Sequence, residues 1–341
     1  MSTRARTVPL TEETLPADET EVGPKLVECM STAANLPVEH LSRSLKSLIA
    51  LVVSQDNSCR YCVQSTRFTM LASGFSQREV QNILADLYGP SLPEGDRAAL
   101  TFARRLSRSN PRPAPDELRA LQDHGFTAPA ITEIAAVTAA TIVANRIGTA
   151  SNLQPMHIPD NVDRWYHTFT RLIARRRINR ERRLRNARAR ESSEYDGPGA
   201  RLLDSLPDVP AVHGFRHILR LAWGESTIPL RTRAMMAGIV GRLVQCGVSQ
   251  QIARYWLERG GLSGDEVEAL FARLDTRSLH ASDRRVLELA RTSVRVQNPA
   301  PLVRQTRALS EQDSTEVADD AILFLAVANA MCRFTVVQGV N

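Results

Sequence analysis

Lysine is nearly absent from this chain: of 43 basic residues only Lys25 and Lys46 are lysine. Together with the many alanines, this points to a GC-rich bacterial genome and carries no functional message. No run approaches eighteen consecutive apolar residues, and Met1 to Pro9 lack the apolar core of a signal peptide, so the sequence reads as a soluble, cytoplasmic protein without a membrane partner. No alternating strand pattern of useful length occurs, which excludes a sheet-based fold and leaves an all-α one. Five cysteines, with Cys29, Cys246 and Cys332 scattered and only Cys59 and Cys62 close together, do not make a secreted disulfide framework.

The net charge of +6 is concentrated in one place. Eleven arginines fall between Arg164 and Arg190, and without the stretch that holds them the positive excess is gone. The run Arg175 to Arg190 has little apolar surface and no interleaved aromatic side chains, so it reads as a solvated linker helix. Nucleic acid or an acidic partner on it is the less favoured reading, one that would be salt-sensitive. At 341 residues the chain is long enough for two cores.

The remaining pattern centres on Cys59-Arg60-Tyr61-Cys62. An apolar run (Leu48 to Val53), a polar break (Gln55 to Ser58) and a periodic stretch opened by two cysteines predict helix, short loop, helix, with both thiols in the first turn of the second helix. Spacing i, i+3 puts the sulfurs on one face, and the helix N-terminus favours the thiolate. No further ligands at matching spacing accompany the pair, so no metal or cofactor is read. Around it, helices are expected from Val22 to Asn35 (with Leu26, Val27 and Met30), over Leu41 to Val53, after an Asp96 cap to about Ser107, over Asp116 to Asp123, and from Thr127 to Ile147. Gly74 is placed as a C-cap, and Ser76 with Glu79 as a capping box.

A shift of 187 residues aligns Cys59 with Cys246, Arg67 with Arg254, Gly74 with Gly261, Ser76 and Glu79 with Ser263 and Glu266, Leu87 with Leu274, Asp96 with Asp283 and Ala103-Arg104 with Ala290-Arg291. With a small offset, Thr132-Glu133 answer to Thr315-Glu316 and Ala144-Asn145 to Ala328-Asn329. The sequence therefore reads as two tandem copies of one helical unit. The boundaries are a loosely held arm over 1–21, a first unit over 22–160, the basic linker over 161–200 and a second unit over 201–341. Cys62 becomes Ser249 in the second copy, so only the first can run a dithiol cycle.

Helix, polar loop, Cys-x-Tyr-Cys, then Gly74-Phe-Ser and Asn145-Arg146 resemble the AhpD-like, carboxymuconolactone decarboxylase superfamily. The resemblance implies an all-helical unit that assembles in pairs, so that one chain here mimics a dimer, and further homo-oligomers. It also implies thiol-dependent reduction of alkyl hydroperoxides or small disulfides, with Cys62 as the attacking thiolate, Cys59 as the resolving thiol and an outside dithiol protein as reductant. The family pattern carries a glutamate twelve residues before the first cysteine and a histidine four after the second; here those positions are Ser47 and Thr66. Asp56, Glu39 and His40 are nearby groups that could substitute, each read foremost as an exposed side chain, while Arg60 and Arg67 could stabilise a thiolate without moving protons. Two other functions stay open: a non-redox enzyme of the decarboxylase type acting on a small organic metabolite in an interhelical cavity, and a non-catalytic interaction protein on a degenerate scaffold.

Overall fold

The computed structural model describes residues 22–86, 92–108, 115–155, 195–273, 280–294 and 298–338. The arm over 1–21, Leu87 paired with Leu274, and the linker up to 194, including Arg175 to Arg190, lie outside the described residues. Among the described residues every regular element is helical, as the missing strand pattern predicts.

The first half contains α1 (Pro24–Ala34), α2 (Arg43–Asp56), α3 (Arg60–Ser73), α4 (Gln77–Ala85), α5 (Glu94–Arg108), α6 (Pro115–Asp123) and α7 (Ala128–Ala150). Local chemistry accounts for most of these ends. Ser42 accepts from the Leu45 N–H and starts α2, and Thr127 accepts from the Ala130 N–H and starts α7. Ser76 and Glu79 form the full capping box of α4. Gly74 ends α3 with φ +110°, a conformation that a side chain would resist. Two details differ from expectation. Asp96 does not cap α5 but sits inside its first turn, where its charge still suits the helix dipole. Val27 faces solvent, and Cys29 takes the inward position on α1 instead.

The second half contains α8 (Ala200–Asp204), α9 (Pro210–Trp223), α10 (Leu230–Leu243), α11 (Gly247–Arg259), α12 (Gly264–Arg273), α13 (Ala281–Ser293), α14 (Ala300–Gln312) and α15 (Thr315–Met331), closed by a 3-10 turn at Phe334–Val336. Several local features recur at the 187-residue offset. Ser58 and Gln245 both hold the left-handed conformation, at φ +54° and +55°, immediately before Cys59 and Cys246. Each of those cysteines then caps the following helix through its sulfur. Ser263 and Glu266 exchange the same reciprocal hydrogen bonds as Ser76 and Glu79.

The two halves share one hydrophobic core. Its axis is α7, buried on nearly all sides, which packs against α1, α2 and α5 of its own half and against α15 of the other. By length and composition α7 could cross a membrane, but most of it is covered by neighbouring helices. Polar contacts also cross between the halves: Lys25 Nζ bonds Asp320 and the Glu225 carbonyl, His217 pairs with Glu28, and Arg333 donates to the Ser107 carbonyl.

Candidate functional site

The site forms where α2 hands over to α3 against the C-terminal half of α7. Leaving α2, the chain turns through Asn57 and Ser58. The Asn57 side chain donates to the Val53 carbonyl and to Ser107 Oγ, which fixes the turn to α2 and α5. The left-handed Ser58 then aims Cys59 inward; for a residue with a Cβ this conformation costs on the order of 1 kcal/mol. Cys59 is the N-cap of α3, one position earlier than the sequence expectation of a first-turn thiol. Its Sγ accepts the Cys62 backbone N–H at 3.3 Å, the bond a capping serine would accept.

Both thiols are free and buried, at 2% exposure for Cys59 and 7% for Cys62. They lie over Gly148 of α7. A Cβ there would stand 3.3 Å from Cys59 Sγ and 3.4 Å from Cys62 Sγ, so the absent side chain is what lets the pair settle on the helix. Asn145 holds α7 to α2, accepting from Ser54 Oγ at 3.0 Å and donating to the Val53 carbonyl.

The two sulfurs sit in opposite electrostatic surroundings. A hydrogen bond from the Cys62 thiol holds Cys59 below the ordinary thiol range despite its burial, assisted by the Cys62 N–H, the Thr149 hydroxyl and the Arg146 charge. Cys62 is pushed well above that range, first by burial and then by the proton it gives to Cys59 and the negative charge there. Its thiol also faces the Ala144 carbonyl at 3.6 Å, an acceptor that can only favour the protonated form. Donors thus gather on Cys59, while the Cys62 thiol faces an acceptor.

The other residues singled out by sequence lie elsewhere. Ser47 Oγ donates back to the Arg43 carbonyl on the outer side of α2, and Thr66 is half-buried one turn beyond Cys62 without a bond to either thiol. Asp56 is not an exposed group: it is clamped by Arg104 at 2.8 and 2.9 Å and by Arg108 at 3.2 Å, an ion pair joining α2 to α5. Glu39 and His40 are exposed and contribute only their backbone N–H groups, which with that of Leu41 donate to the buried carboxylate of Glu133 at 2.7–3.0 Å. Arg60 is exposed and Arg67 bonds Gln64, so neither takes the expected part beside the thiolate. That part falls to Arg146, whose motif with Asn145 was visible in the sequence although its contact with Cys59 was not. Gly148 and Thr149 follow from the helical spacing of Asn145, a signal available once α7 is laid beside α3.

In the second half Cys246 is fully buried and accepts from the Ser249 N–H and from Ser249 Oγ at 3.2 Å. Ser249 lines a small apolar cleft with Trp223, Ala237, Phe324 and Met331. The pairing of Glu133 with Glu316 does not hold in environment, because Glu316 is exposed. Asp320 instead accepts the Thr227 N–H at 2.6 Å and plays for α10 the part that Glu133 plays for α2. Among the described residues no cluster of three or more His, Cys, Asp or Glu could hold a metal ion.

No curated protein and no solved structure matches the chain. Residues 24–105, from α1 into α5 and including both cysteines, match the model of the Carboxymuconolactone decarboxylase family. Over that segment this all-α chain is similar to the carboxymuconolactone decarboxylase family, the resemblance that its cysteine motif carries.

Proposed function

We propose that this protein is a thiol-dependent oxidoreductase that reduces an alkyl hydroperoxide or small disulfide through a Cys59/Cys62 dithiol cycle. The observation that carries the reading is the pair itself: two free thiols seated together on Gly148, Cys59 accepting the Cys62 backbone N–H and the Cys62 thiol facing the Ala144 carbonyl. That asymmetry favours roles exchanged from those the resemblance implies. Cys59 thiolate attacks the terminal peroxide oxygen, the O–O bond breaks, and Cys59 becomes a sulfenic acid. The Cys62 thiol gives its proton to the departing alkoxide, work for which Ser47 and Thr66 are unsuited at their ordinary pKa values. Cys62 thiolate then attacks the Cys59 sulfur, hydroxide leaves and takes up a proton as water, and the disulfide forms. Two electrons have passed from the dithiol to the peroxide, and an external dithiol, small or protein-borne, restores the thiols.

The recurring caps and turns support a tandem-repeat architecture in which the second unit, with serine at 249, serves as partner rather than catalyst. The test is sulfenic acid trapping with dimedone after addition of an organic hydroperoxide. Cys62→Ser should accumulate the adduct on Cys59, and Cys59→Ser should form none. An adduct on Cys62 alone would restore the order implied by the resemblance, and no adduct in either variant would remove the peroxidase reading.

A further inference from the structure

Two arginines near the dithiol have no acidic partner among the described residues: Arg146 stands two positions before Gly148, which touches both sulfurs, and Arg333 bonds the carbonyl of Ser107, the residue that also holds Asn57 in the turn before Cys59. Arg146 on α7 and Arg333, just beyond α15, are each only 3% exposed. Among the described residues neither faces a carboxylate. Arg333 gives one Nη to the Ser107 carbonyl and the other to Cys332 Sγ; among the described residues Arg146 makes no hydrogen bond, and the buried Nε of both finds no partner. The two guanidinium groups are close enough to repel each other, and Arg146 is close enough to Cys59 to act on its charge. Burying a charge without a counter-charge is strongly unfavourable. A Cys59 thiolate offsets one of the two positive charges. The second has no counter-charge among the described residues, at a point where a residue of each half meets the other.

We propose that Arg146 and Arg333 form an internal oxyanion site against Cys59, and that the substrate reduced there carries a carboxylate. This deepens the dithiol reading and rests on it for the reaction. A guanidinium fork matches a planar carboxylate in shape, and the single remaining charge matches a monoanion better than a phosphate dianion. The arrangement also explains why Arg333 is contributed by the second unit, which has lost its own dithiol: the second unit completes the substrate site of the first.

Two alkylating probes of nearly equal size test this, iodoacetate with a carboxylate and iodoacetamide without one. Rates at Cys59 of the full chain are followed by peptide mapping and divided by the rates of the same reagents at a free cysteine. The iodoacetate-to-iodoacetamide ratio at Cys59 should exceed the free-thiol ratio about tenfold, as expected for one charge-assisted contact. Sodium acetate should slow iodoacetate selectively and more than inorganic phosphate does. The ratio should fall to the free-thiol value in Arg333→Gln, shown to be folded by circular dichroism, and survive in Arg333→Lys. A wild-type ratio equal to that of the free thiol overturns the proposal, whatever the variants do, and a preference for phosphate over acetate overturns the carboxylate assignment. The iodoacetamide rate alone reports whether Cys59 is an activated thiolate, so failure of the dithiol reading is read separately from failure of the anion site.

Discussion

At the scale of single residues, the proposed chemistry depends on a side chain that is missing. Gly148→Ala would place a methyl group 3.3–3.4 Å from both sulfurs, tighter than ordinary contact, so the sulfurs must shift by a few tenths of an ångström. Alanine's better helix propensity, about 1 kcal/mol, offsets much of the packing cost. The effect should therefore appear in the thiols and not in folding: disulfide formation after peroxide should slow several-fold while the denaturation midpoint hardly moves. Cys29 offers a separate check on buried thiols. Burial, with a smaller effect of Glu28, raises its pKa far above the ordinary value. The folded state then keeps a proton that the unfolded state releases above about pH 8.5, so Cys29 destabilises the fold as pH rises beyond that point. The stability of Cys29→Ala relative to wild type should increase by about 1.4 kcal/mol per pH unit between pH 9 and 10, measured by urea denaturation. A difference independent of pH would mean that Cys29 ionises in the folded protein.

At the scale of elements, Glu133 joins α7 to the loop before α2. Its carboxylate receives three backbone N–H groups with no exposure to water, and only a carboxylate can accept them all without presenting a donor of its own. Glu133→Gln should cost about 1–3 kcal/mol in denaturant unfolding, the range for bonds to a charged group, and leave the alkylation profile of Cys59 unchanged. How much of this was legible follows from the range of each interaction. The caps at Ser76 and Gly74, the helix–loop–helix around the cysteines and the opening of α7 at Thr127 are local, so their residue types declare them. Glu133 bonds a loop more than ninety residues away, and Arg333 reaches Ser107 across the whole chain. Neither has a neighbour in sequence that announces its partner. Asp56 was misread for the same reason, because Arg104 and Arg108 approach it from another helix. The correspondence of Glu133 with Asp320 was hidden because the equivalent carboxylate is set at a different distance from the shared asparagine, which gapless alignment cannot see.

At the scale of the molecule, the two halves form a single core about α7 and α15, and the cysteine pair rests on α7. A helix as apolar as α7 has no polar face to turn to water if α15 is removed. A fragment ending at residue 160 should therefore fail to give a folded monomer: it should aggregate or bind a dye for exposed apolar surface, as read by size-exclusion chromatography and fluorescence. A stable monomeric fragment would show that the first half is an independent domain, with Arg333 and Lys25 merely decorating a docking surface.

The most direct test of the central claim is the stoichiometry of thiol loss. The reduced full chain is treated with one equivalent of an organic hydroperoxide, and its five cysteines are counted by alkylation and mass mapping. The account predicts that Cys59 and Cys62 disappear together as an intramolecular disulfide, with one peroxide consumed per pair and Cys29, Cys246 and Cys332 intact. Five free thiols and unconsumed peroxide, or oxidation spread without preference over all five, would contradict it.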